Sequence, residues 1–121
     1  MTAPLHRFAT PDPTCCGVCR RRAGSWGHAP RAGAPILWLC ADEGCLQAGR
    51  KVYAMSERDM DAFEARARDA AGDVGGLYLD TLGKTDFAAL SPEEWQTFLS
   101  RVLDGFGDSL RTQILNHQAP F

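Results

Sequence analysis

Apolar and polar positions along the chain change their period near residue 40. Before it, "PILWLC" (35–40) is a short apolar run with a β-branched residue and an aromatic. It suits a buried strand of about five residues. After Cys45 the spacing becomes helical. "CLQAGRKVYAM" predicts a short helix weakened by Gly49. Ser56-Glu57-Arg58-Asp59 resembles a capping box with Asp in the Glu/Gln position. Met60, Phe63, Ala67 and Ala70 then recur at helical spacing to about Ala71, where Gly72 is expected to end the helix. "GDVGG" reads as a break, "LYLDTL" as a short helix stopping at Gly83, and Asp86 as the cap of a turn, "FAAL". The clearest helix is the last. Ser91-Pro92-Glu93-Glu94 supplies an N-cap serine, proline at the first helical position and glutamate at the third. Trp95, Phe98, Leu99, Val102, Leu103, Phe106, Leu110 and Ile114 trace one face. Gly105 and Gly107 weaken it by about 1 kcal/mol each relative to alanine.

Upstream of the strand, "GSWGHAPRAGAP" is a loop or hairpin turn by its glycines and prolines. Thr10-Pro11-Asp12-Pro13 disfavours helix before each proline, so residues 1–14 are expected to form an extended arm. The expected class is α+β. A small lobe over 15–51 with a short β-hairpin packs on a mainly α-helical part, 52–121, of three or four helices.

Of the 121 residues 45% are hydrophobic and 23% charged, which allows one modest core. The net charge of −2 argues against a polyanion binder acting through its whole surface. Its distribution says more. Up to Lys51 there are seven Lys/Arg and three Asp/Glu; beyond it, six and twelve. A basic part is joined to an acidic one. No run approaches a membrane span, and the N-terminus lacks the apolar stretch of a signal peptide. A cytoplasmic location is expected, where reduced cysteines in close pairs favour metal ligation over disulfides.

Five cysteines lie in the basic part. Cys16 and Cys19 form a C-x2-C pair, and Cys40 and Cys45 a C-x4-C pair, with twenty residues between. Four thiolates suit a tetrahedral structural Zn2+, and a knuckle followed by a strand-borne second pair can supply them. The order resembles a treble clef, a knuckle, a hairpin and a helix whose first turn carries the last ligand. A zinc ribbon with a widened second knuckle is the alternative, and the C-x4-C spacing leaves the two open. Cys15 adjoins Cys16 and is expected to be the spare thiol. His28 is the alternative ligand, in place of Cys45. With few apolar residues, the lobe needs such a staple.

Signatures of catalysis are missing. Gly83-Lys84-Thr85 looks like the end of a phosphate loop, but Tyr78 stands where its first glycine belongs. No H-x-E accompanies the cysteines as in zinc deaminases, and HNH-type nucleases need histidines that the helix after Cys45 lacks, His117 lying in the C-terminal tail. A closed four-cysteine site leaves a metal no open position. The protein is expected not to be an enzyme.

Two kinds of partner remain. Arg20, Arg21, Arg22, Arg50 and Lys51 could contact phosphates, with Trp26 and Trp38 stacking on bases. The plainer role of the arginines is to offset the net −2 of a zinc tetrathiolate. Alternatively, the apolar face from Trp95 to Ile114, most simply the protein's own core, would meet a protein partner or a second copy of the chain if it is wider than one core covers.

"CGVCRR", "WLCADEGC" and "YLDTLGKTDFAALSPEEWQTFLSRVLDGFGDSLR" resemble a group of small bacteriophage and prophage proteins. The resemblance implies a zinc-knuckle lobe with a helical tail and an accessory role in the host cytoplasm; it brings no activity and no catalytic residues. The expected function is a non-catalytic zinc-binding interaction protein whose partner is a host enzyme or defence complex. Nucleic-acid binding in phage DNA metabolism is the alternative, and an enzyme with an unrecognised site the second alternative.

Overall fold

A computed structural model describes residues 14–24, 26–29 and 32–117. The arm expected over 1–14 lies, up to residue 13, outside them. The elements in chain order are β1 (Trp26–His28), β2 (Leu37–Leu39), α1 (Glu43–Ala54), α2 (Glu57–Leu82), a 3-10 turn (Phe87–Ala89) and α3 (Pro92–Asn116). A two-stranded antiparallel hairpin packed on helices is the α+β architecture that the hydrophobic pattern predicts. Trp26 pairs with Leu39, Gly27 with Trp38 and His28 with Leu37. Leu37 and Leu39 are buried, and Trp38 points to the other side of the pleat. β2 is shorter than the five residues expected. Ile36 is exposed at one end, and at the other Cys40 leaves the ladder to join the remaining thiols.

Asp42 caps α1 by accepting from the Gly44 N–H. The buried stripe of α1, Cys45, Ala48, Gly49 and Val52, runs across the expected joint at residues 51 and 52, which falls inside the helix. Ser56 caps α2 by accepting from the Asp59 N–H, as the sequence predicts.

The expected break at "GDVGG" does not occur. α2 continues for 26 residues, about 39 Å at 1.5 Å per residue. Packing explains the difference. A Cβ on Gly75 would stand 2.8 Å from both Phe98 Cε2 and Val102 Cγ2, so the missing side chain is what lets α3 lie close. The apolar contact so gained outweighs the intrinsic cost of glycine in a helix. The stop comes at Gly83, in the left-handed region at φ 66°, where the Lys84 N–H reaches the Leu79 carbonyl.

α3 opens with the capping box complete in both directions between Ser91 and Glu94 and runs unbroken through Gly105 and Gly107. Lys51 of α1 donates to the carbonyls of Leu115 and His117, at 2.5 and 3.2 Å, and so satisfies the far end of α3. One core joins everything: Val18, Leu37 and Leu39 from the lobe meet Val52, Met60, Leu110 and Ile114 from the helices. No helix among the described residues is long and apolar enough to cross a membrane.

Candidate metal centre

The site begins with a tight turn. The Arg20 N–H donates to the Cys16 carbonyl at 3.0 Å, and Arg20 takes the left-handed conformation at φ 67°. That conformation is uncommon for a residue with a side chain and is held here by the surrounding bonds. The Cys16 N–H donates to the Arg21 carbonyl at 2.7 Å and closes the loop behind the turn. A bond from the Gly17 N–H to the Trp38 carbonyl then ties the knuckle to β2. Cys40 follows β2 directly, and Cys45 is the third residue of α1. At a helix N-terminus the unpaired N–H groups favour an anionic sulfur.

These elements bring Cys16, Cys19, Cys40 and Cys45 together. Their four sulfurs lie within 4.8 Å of one another; three of the residues are buried and Cys40 is half-buried. Cys19 Sγ and Cys40 Sγ are 3.8 Å apart. A disulfide would need about 2.05 Å. A tetrahedron with zinc–sulfur bonds of about 2.3 Å has an edge of about 3.8 Å. The donor set and its spacing therefore fit a tetrahedral metal ion. All five cysteines are unbridged.

The protonation of the cluster reflects this crowding. Hydrogen bonds from Cys19 and Cys45 pull the Cys16 thiol far below its ordinary range. Its hydrogen bond to Cys16, then that to Cys19 and burial, push the Cys45 thiol far above. Burial also raises Cys40. Four thiols this close share protons unless a cation displaces them.

Two arginines flank the sulfurs. Arg111 of α3 donates to Cys45 Sγ at 3.7 Å. It also pairs with Asp108 at 2.8 Å and with Asp42 at 3.6 Å. Burial disfavours the Arg111 charge, but Cys45 and the two aspartates outweigh it and raise the group's affinity for its proton. Arg21 is raised as well, first by its interaction with Cys19. It pairs with Asp104 at 3.0 Å and Asp108 at 3.1 Å. A divalent ion on four thiolates carries a net −2, which these two guanidiniums face.

The other residues singled out in the sequence lie elsewhere. Cys15 stands outside the four, its sulfur 3.6 Å from the Arg20 carbonyl. His28 also stands outside, edge-on to Tyr53 with ring centroids 5.9 Å apart. Arg20 pairs with Glu64 of α2 at 3.1 Å. Arg22 and Arg50 are exposed, and Lys51 is bound to the end of α3. Arg20 thus pairs with α2 and Arg21 with α3, the Arg21 side chain staying 40% exposed.

Arg111, Asp104, Asp108 and Glu64 were not foreseen. The signal for them was the segregation of charge between the two parts, together with the Asp104, Asp108 and Arg111 spacing on one helix. Gly107 was read as a weakness. A Cβ there would stand 2.6 Å from the Cys19 carbonyl oxygen, so the bare glycine lets α3 rest on the knuckle.

No curated protein and no solved structure matches the chain. A family model does, over residues 57–121, a stretch that begins with the first residue of α2 and holds none of the four cysteines. With more than half of its length matched, the chain belongs to DUF6511, a family of unknown function.

Proposed function

We propose that this is a non-catalytic interaction protein whose small lobe is held by a structural zinc ion and whose partner is another protein. The observation that carries the reading is the convergence of four cysteine sulfurs at tetrahedral spacing, in a cluster made of cysteines alone. Four thiolates close the coordination sphere and leave no position for water or substrate. Knuckle, hairpin, and a helix with the last ligand in its first turn follow one another in the order of a treble clef. Zinc there supplies folding energy to a lobe with two three-residue strands.

A protein partner is favoured over nucleic acid because Arg20 and Arg21 are spent on Glu64, Asp104 and Asp108. The resemblance to phage and prophage proteins supports an accessory role in the host cytoplasm, against a host enzyme or defence complex.

Metal analysis of the purified chain tests the first half, with about one zinc per chain expected. Substoichiometric metal in a fully folded protein would sink it. A salt titration with DNA and RNA tests the second. Binding is expected to be weak and non-specific, whereas tight binding that falls steeply with salt would move the function to nucleic acid.

A further inference from the structure

The same stripe of α3 is covered at one end and bare at the other. Trp95, Leu99, Leu103 and Gly107 follow one another at four-residue steps, and Leu110 and Ile114 continue the face. From Gly107 onward the stripe is buried beneath the cysteine knuckle and α1. One turn earlier Leu103 is 63% exposed, and Leu99 and Trp95 are 39% and 40% exposed. Phe87, in the turn before α3, meets Trp95 edge-on with ring centroids 5.6 Å apart and is itself 55% exposed. Across from this row, Gly72 and Gly76 of α2 have open space where a side chain would stand. Among the described residues the lobe covers less than the length of the helical hairpin, and what it leaves bare is an apolar row beside a glycine-lined strip.

Charge decides what fits there. Residues 69–110 carry eight acidic and two basic residues. Glu94, Asp104 and Asp108 are already paired with Lys84, Arg21 and Arg111, so Asp69, Asp73, Asp80, Asp86 and Glu93 set the charge of the hairpin tip. Both cations are engaged within the hairpin, Lys84 with Glu94 and Arg101 over the Tyr78 ring. A second copy would bring the same acidic tip against its like, a repulsion that salt screens only beyond about 8 Å. Nucleic acid is repelled for the same reason. The molecule already contains the complementary solution. Its basic lobe sits on the neighbouring length of this stripe, with Arg20 and Arg21 reaching Glu64, Asp104 and Asp108 around an apolar centre.

We infer that the bare stripe Trp95–Leu99–Leu103 is the docking site for a basic amphipathic helix of a partner protein, which continues the interface that the lobe begins. This rests on the protein-partner reading above and gives that partner a chemistry. Leucine anchors spaced by one turn lie along the row, and lysines or arginines at their flanks meet the acidic rim.

The test uses the full zinc-loaded chain and three synthetic peptides of about four helical turns. One has a leucine stripe with lysine flanks, one the same stripe with glutamate flanks, and one is the lysine peptide scrambled so that no stripe forms. The lysine helix is expected to bind and to shift the fluorescence of Trp95. L99S/L103S is expected to weaken it roughly tenfold. Because both leucines are exposed, that variant is expected to keep its metal content and circular dichroism. Equal binding of the glutamate or the scrambled peptide, or equal binding by L99S/L103S, would overturn the proposal, as would self-association through Leu99 and Leu103 in sedimentation. Failure of the lysine helix to bind the zinc-loaded chain overturns this site and leaves the broader interaction reading standing. Loss of zinc stoichiometry in the wild type overturns that broader reading instead.

Discussion

The cysteine lobe and the helical hairpin solve the same problem with different means. The lobe has two strands of three residues and contributes chiefly Val18, Leu37 and Leu39 to the core besides its cysteines. Little apolar surface is available there to offset the entropy of ordering its loops. What the lobe offers besides its share of the core is four converging thiols that could hold a metal ion and the arginine pairs to Glu64, Asp104 and Asp108. The hairpin is the opposite case. α2 and α3 are 26 and 25 residues long, each with a side-chain N-cap, and they bury apolar contact along their length. Glycines let them lie close. The difference teaches where each half is vulnerable: the lobe to loss of its ligands, the hairpin to changes at close contacts and caps.

Chelation should break the comparison most sharply. Removing a structural metal from a lobe of this size should cost on the order of 10 kcal/mol apparent. The near-ultraviolet signal of Trp26 and Trp38 should collapse, while much of the helical signal at 222 nm, carried by α2 and α3, survives. Simultaneous loss of both signals would mean that the hairpin has no stability of its own.

Next in size is Gly107→Ala, at the seam between the two regions. Its methyl would press on the Cys19 backbone, a contact that no side-chain rotation relieves. A loss of about 1–3 kcal/mol is expected in denaturant melts. Weaker metal retention should accompany it, because the knuckle must move. An unchanged midpoint would show that α3 does not bear on the metal site.

The smallest effects belong to the hairpin alone. Ser91→Ala should cost about 1 kcal/mol through the lost cap and leave metal affinity unchanged. In the same cap, Lys84 and then the Ser91 backbone N–H hold the Glu94 carboxyl below its usual range. Since its folded value is depressed, its contribution is present above the unfolded carboxyl value of about 4.3 and is lost as pH falls through the folded one. Glu94→Gln should therefore flatten the acid limb of the stability profile. An acid limb identical in both proteins would remove Glu94 from the account.

Caps and thiols were legible because their signals are local. Ser56, Asp86 and Ser91 each accept from a backbone N–H within three residues, and C-x2-C is a single turn. The continuity of α2 was not legible. Gly72, Gly75 and Gly76 together disfavour helix by intrinsic propensity, and nothing within that window reveals that Phe98 and Val102 will occupy the space beside Gly75. The partners of the arginine run were not legible either. Its residues look free for phosphate until Glu64, Asp104 and Asp108, more than forty positions away, come to meet Arg20 and Arg21.

By itself the sequence determined the candidate ligands, the helix starts, and the separation of a basic part from an acidic one. Each depends on residues a few positions apart or on totals that folding cannot change. Only the tertiary structure decided that four thiols from three elements meet at metal-binding distance, that Arg111 stands beside Cys45, and that α3 rests on the knuckle through Gly107. It alone decided also that the lobe stops one turn short of Leu103. These outcomes depend on how the long helices lie against one another, and that follows from side-chain volumes brought together from distant parts of the chain.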